Sequence, residues 1–267
     1  MSPDRGQDER EEMQSHFALV AGKYRDLRTT DPEPIHFIKD KHRHLGQIRA
    51  LDIGCGAGRY DLLLFEHLPG LHLTCADINP EMLAEAGRYL SEGGISNFET
   101  RVSSVEDLSF ERGEFDAVFT FNAVHHFDFP KFLEKGKRFI KENGQLFIYT
   151  RLPEQNARSI WGEFFPKFLE KETRLFELAE MEKWVEQTNG LELAEARRFR
   201  YPRKCSLSGL LMKCREKHYS TFSLYSSEEL ENAAMYFSQK ITDNFPDPEC
   251  IEWTDENIML HLRREKS

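Results

Sequence analysis

No stretch of this chain of 267 residues approaches the ~18 consecutive apolar residues of a membrane span. The opening MSPDRGQDEREEM is charged and so lacks the apolar centre of a signal peptide. Cysteine is scarce and unpatterned. Cys55, Cys75, Cys205, Cys214 and Cys250 make an odd set of five with no C-x-x-C pair, which fits neither a zinc framework nor a disulfide scaffold. These absences point to a cytoplasmic protein that holds no metal. Cations are also short, with 36 Lys and Arg against 46 Asp and Glu and a net charge of −10. That balance argues against a nonspecific nucleic-acid binder but leaves room for a local basic site. There is no internal repeat, no low-complexity segment, and no sign of a second folding nucleus in the C-terminal half.

The chain does have enough apolar residues, 39% of the whole, to bury one large core. Residues 1–12 read as a disordered tail, and MQSHFALVAGKYRDLR places Phe17, Val20 and Tyr24 at helical spacing. After Pro32 and Pro34, IHFIKDKHRHL predicts another helix. Strand–turn–helix units then recur: QIRALDIG and GRYDLLLFEHL, then HLTCADI and NPEMLAEAGRYLSEGG, the latter entered through Asn79 as N-cap and Pro80 at the first helical position. FETRVS and FDAVFTF follow as strands, PKFLEKGKRFIKENG as a helix ending on Gly144, and QLFIYTR as a fifth strand. Beyond Arg151, two helical segments precede a sixth strand, LELAEARRFRY, and CIEWTDENIMLHLRR closes the chain as a last one. The expected fold is α/β: a Rossmann-like, mostly parallel sheet of seven strands flanked by helices. Residues 13–203 and 248–267 form the main domain. Residues 204–247, too long for a simple connection, form a helical cap over the carboxyl edge of the sheet that sets the choice of substrate.

The stretch ALDIGCGAGRYDLLLF packs Gly54, Gly56 and Gly58 between a strand and a helix start. A backbone bare of side chains at such a turn lets a ligand approach closely. The dinucleotide fingerprint G-x-G-x-x-G fails, because Arg59 stands where its third glycine belongs, and there is no Tyr-x-x-x-Lys pair in the site region. Asp52 at the strand end would repel a pyrophosphate and suits a cationic ligand instead.

Taken together, LDIGCGAGRY, ADINPEML, FDAVFTFNAVHHF and ENGQLFIYTR resemble the successive motifs of class I S-adenosylmethionine-dependent methyltransferases, nearest to the small-molecule branch. The resemblance covers residues 17–151 by motif and the remainder by element order. It implies S-adenosyl-L-methionine as cofactor. The methionine part would lie on Gly54, Gly56 and Gly58, with Asp52 near its ammonium and Asn122 near the same end. Asp77 would accept from the ribose hydroxyls. Ile78 and Val105 would cover the two faces of the adenine. The family often has an acidic residue where this chain has Ser104, so the adenine amino group is left to Ser104 or Glu106. Tyr24 resembles a tyrosine that closes over the cofactor, with Arg25 as the polar alternative.

Methyl transfer from a sulfonium is an in-line displacement, so alignment and exclusion of water are the main tasks. His125 and His126 follow the fourth strand at the edge where such folds bind ligands, and either is a candidate base or a packing residue. On an extended backbone only one of two adjacent side chains would face the site. Arg151 and Tyr219 are expected to touch the acceptor, a small acidic or aromatic molecule. Arg197, Arg198, Arg200, Arg203, Lys204, Lys213, Arg215 and Lys217 read chiefly as a solvated basic face, with RNA as a lesser alternative. A noncatalytic cofactor-binding regulator is the remaining alternative, and the chain is expected to be a monomer or a homodimer.

Overall fold

The computed structural model describes residues 29–43 and 46–265. The expected tail, the first helix, Tyr24 and Arg25 lie outside them. The first described helix is α1 (Glu33–Lys41), and five strands then follow with helices between them except between the third and fourth. These are β1 (Ile48–Ile53), α2 (Arg59–His67), β2 (Leu71–Asp77), α3 (Pro80–Glu92), β3 (Phe98–Val102), β4 (Phe115–Phe121), α4 (Phe129–Phe139) and β5 (Ile140–Thr150). Short helices α5 (Pro153–Ala157), α6 (Ile160–Phe164) and α7 (Phe168–Lys171) follow, then α8 (Leu178–Gln187) and β6 (Leu191–Cys205). The chain continues through α9 (Leu207–Arg215), a 3₁₀ turn at Ser220–Leu224 and α10 (Ser227–Asn244), and ends in β7 (Ile251–Arg264).

The seven strands form one sheet in the order β3-β2-β1-β4-β5-β7-β6. The first five are parallel, and β7 runs antiparallel to β5. The central strands read as near-continuous apolar runs because helices cover both faces, whereas the edge strand β3 is mostly exposed and polar. Asn79 caps α3 as expected, its Oδ1 accepting from the Met82 amide at 2.9 Å.

Two expectations are corrected. The helix before β5 stops at Phe139, not at Gly144, and Ile140 already pairs with Phe115 in the sheet. The chain makes its turn within 141–144, where Asn143 has φ 64° and a Cβ on Gly144 would meet Ile140 Cβ at 2.8 Å. Burial of Ile140 in the sheet outweighs the helical pattern of the polar residues after it. The region after Arg151 holds four helices instead of two, and Pro166 and the left-handed Lys167 are among the breaks between them.

The contacts divide the chain into two compact units. The sheet unit comprises residues 30–152, 176–199 and those from 257 on. Its core lies between sheet and helices, around Ile53, Val118, Phe132, Ile148, Met181 and Leu260. The helical unit takes residues 153–175 together with 200–256, a larger region than 204–247 alone. It has a nucleus of its own, contrary to expectation. Trp161 stacks on Phe237 with ring centroids 5.1 Å apart, and Phe165, Phe168 and Phe222 close around them. The inserted segment therefore cannot be excised without exposing Trp161 and Phe165. In α10, Ser226 and Glu229 form a reciprocal capping box.

Candidate functional site

At the carboxyl edge of β1 the chain turns through three left-handed glycines, with φ of 76°, 56° and 75° at Gly54, Gly56 and Gly58. The amides of Gly54 and Cys55 both donate to the Ala76 carbonyl, at 2.8 and 3.1 Å, which ties the turn to β2. A Cβ on Gly54 would lie 2.6 Å from Ala123 Cβ and 2.9 Å from Phe127 Cζ, and one on Gly58 would lie 3.1 Å from Ala86 Cβ. Only glycine meets both the backbone angle and the close approach.

Asp77 ends β2 with its carboxylate braced by backbone: Gly56 N–H donates to Oδ2 and Asn79 N–H to Oδ1, each at 2.9 Å. The Ile78 N–H adds to this bracing, and two carboxylate oxygens still leave a lone pair for a further donor. Ile78 is 44% exposed, and Val102, the register partner of Asp77 on β3, is 59% exposed. A side-chain-free turn, a fixed carboxylate and bare apolar surface together fit an adenosyl group. Val105, expected to face the adenine, is 5% exposed and belongs to the core. Ser104 is engaged by Asp107, its hydroxyl donating at 2.7 Å and accepting from the Asp107 amide at 3.1 Å. Glu106 is half-buried, and its carbonyl accepts from Lys135.

Asp52 is 1% exposed and Asp61, from the first turn of α2, is fully buried. Burial and the adjacent Asp61 push the Asp52 carboxyl well above the usual range. Burial pushes Asp61 up to about 6, against hydrogen bonds from Asp52 and Cys75. Two neighbouring carboxyls out of water disfavour ionisation of both. Asp52 thus offers no exposed charge to a cofactor ammonium, which corrects the electrostatic part of the expectation.

Asn122 directly follows the fourth strand, with φ 54° and its amide donating to the Tyr149 carbonyl at 2.7 Å. Val124–His126 is a 3₁₀ turn and not extended backbone, so the His125 and His126 rings lie side by side, centroids 4.1 Å apart. This corrects the expectation that adjacent side chains diverge there. Ala123 and Phe127, which flank the turn, are the residues that pack on Gly54.

Residues 51–148 match a family model described as a methyltransferase domain, and they span this turn, Asp77, Asn122 and the histidine pair. This stretch is a methyltransferase domain of the class I, S-adenosylmethionine-dependent type. Its cofactor is S-adenosyl-L-methionine. The methyltransferase is 29% identical over 191 residues to the ubiquinone biosynthesis O-methyltransferase of Xylella fastidiosa strain M23, covering 67% of this chain and 75% of that one. It is 27% identical to a Dictyostelium discoideum protein named as a methyltransferase, over half of this chain and 48% of that relative. It thus spans about half the length of the latter. The solved structure of YcgJ from Bacillus subtilis shares the fold, with a TM-score of 0.63, 18% identity, and coverage of 88% of this chain and 99% of that one.

Arg151 follows β5 in the sheet unit of the methyltransferase. Tyr219 belongs to the helical unit, where its ring lies 4.2 Å from that of His218. Much of the basic cluster is already matched. Arg200 pairs with Glu256, Arg203 with Asp255 and Arg215 with Glu231, while Arg197 lies over Phe37 and Phe199. Among the described residues, no group of three or more His, Cys, Asp or Glu is placed to hold a metal ion, and no helix is long and apolar enough to cross a membrane. The sequence reading missed Asp61, Val102 and Asn257. A lone acid inside the run YDLLLF was the one available signal for the first; the others needed strand register.

Proposed function

We propose that the protein transfers a methyl group to an oxygen of a small-molecule acceptor, with His125 or His126 as base. S-adenosylmethionine, when bound, supplies an electrophilic methyl on a sulfonium whose leaving group is a neutral thioether. The glycine turn keeps side chains out of the cofactor's path, and the spare lone pair of Asp77 accepts from the ribose. Ile78 and Val102 cover apolar surface and exclude water. The histidine takes the proton that the acceptor hydroxyl loses as its oxygen gains the methyl. The observation that carries this reading is that the residues on either side of Val124–His126, Ala123 and Phe127, pack directly on Gly54, so the base is built onto the cofactor turn. The named activity of the Xylella relative supports oxygen as the acceptor atom.

Calorimetry should show binding of S-adenosylmethionine and none of NAD; the reverse would remove the basis of the proposal. With a phenolic acceptor identified by methyl-transfer screening, alanine at one of the two histidines should lower kcat by about 100-fold, with recovery as pH rises. If neither substitution changes the rate, the base lies elsewhere.

A further inference from the structure

The last strand brings to the carboxyl edge a side chain that no motif names. Asn257 on β7 is 7% exposed. Its Nδ2 donates one hydrogen bond to the Thr150 carbonyl at 3.0 Å and another to Asn122 Oδ1 at 3.2 Å. A backbone carbonyl only accepts, so Thr150 dictates which end of the Asn257 amide points toward β5. The second N–H of the same nitrogen then dictates the Asn122 amide, whose oxygen has to face Asn257. Asn122 Nδ2 is left on the outer side of this relay, and among the described residues nothing accepts from it. Asn122 is itself held in place by its left-handed backbone, by its own N–H on the Tyr149 carbonyl, and by Ala123 wedged against Gly54.

We propose that Asn257 is a positioning residue of the cofactor site. Through the Thr150–Asn257–Asn122 relay it turns the Asn122 amide N–H groups outward, where they donate to the carboxylate of the cofactor's methionine part. The polarity of the relay selects the chemical class. A side chain that presents only donors recognises an accepting oxygen and not an ammonium group. Position agrees with this, because Asn122 directly follows the strand beside β1, whose own end carries the glycine turn. The inference rests on the cofactor reading above and adds a specific partner for one end of that ligand.

Two probes separate the relay from general damage. S-adenosylhomocysteine carries the carboxylate, whereas 5′-methylthioadenosine keeps the adenosyl thioether and lacks the amino acid. Asn257→Asp removes both donors, so the Asn122 amide reverses and presents its oxygen. Affinity for S-adenosylhomocysteine should fall about 10- to 100-fold, with methylthioadenosine unchanged within about twofold. Equal losses for both probes, or no loss for the first, overturn the proposal. Asn122→Asp is the second variant should the first fail to fold: the position is half-buried and its backbone angle suits aspartate. It replaces the donors with negative charge and should give the same split between probes; an equal effect on both would again overturn the relay. Wild-type protein that binds neither probe would instead refute the cofactor reading itself.

Discussion

Two buried carboxyls, one in each unit, titrate in opposite directions. Asp61 in the sheet unit meets another carboxyl and no cation, and burial raises it to about 6. Glu172 in the helical unit is also penalised by burial, but the Arg174 guanidinium and the Thr221 hydroxyl outweigh that and hold it below the usual range. The contrast extends beyond this pair. In the helical unit Tyr225 donates to the Pro166 carbonyl at 2.7 Å, while the buried Ser223 hydroxyl and Trp253 indole N–H have no hydrogen-bond partner among the described residues. The edge of the sheet unit concentrates left-handed residues, a buried acid pair and bare apolar surface. Left-handed turns and bare apolar surface suit a ligand site, whereas the closed aromatic core around Phe222 serves packing.

The sharpest way to break this comparison is Phe222→Ala. The ring is fully buried in the helical unit, and its loss should cost about 3–5 kcal/mol in urea unfolding. Cofactor affinity of the folded fraction should stay within about twofold. A large loss of affinity at unchanged stability would mean that the helical unit is no mere scaffold. Asp77→Ala is the counterpart in the sheet unit: cofactor affinity should fall by about 1.5–3 kcal/mol in calorimetry with the fold intact. Unchanged affinity would assign the ribose contact to another group.

The smallest expected effect concerns pH. The folded state holds a proton on Asp61 up to about pH 6, while the unfolded carboxyl releases it near 3.9. Between those values the folded state binds more protons, so the stability of the cofactor-free protein falls as pH rises through that window and stays lower above it. Asp61→Asn should flatten that decline and leave the variant about 1–2 kcal/mol better off, relative to wild type, at pH 7 than at pH 4. Thermal unfolding across pH 4–7 measures it. An unchanged slope would show that Asp61 keeps its charge when buried.

Much of the sheet unit was legible because its signals are local. Alternating strands and helices follow from runs of apolar residues, Asn79 and Pro80 announce a helix start, and three glycines in five residues announce a backbone that must go left-handed. The end of α4 was not legible. The sequence beyond Phe139 has helical spacing, and only pairing of Ile140 with Phe115 across the sheet decides that it is strand. The histidine pair was legible as a pair, but its 3₁₀ geometry was not, since Ala123 and Phe127 are held by a glycine about seventy residues earlier.

The sequence by itself determined the order of elements, the glycine turn and the carboxylate at the end of β2, because each depends on backbone propensity within a few residues. Tertiary structure alone decided that Asp61 lies under Asp52, that Trp161 and Phe237 start a second core, and that Asn257 reaches Asn122 from 135 positions away. Those contacts depend on strand register and on which faces pack. In register, a one-residue shift moves every side chain to the opposite face, and no local propensity records it.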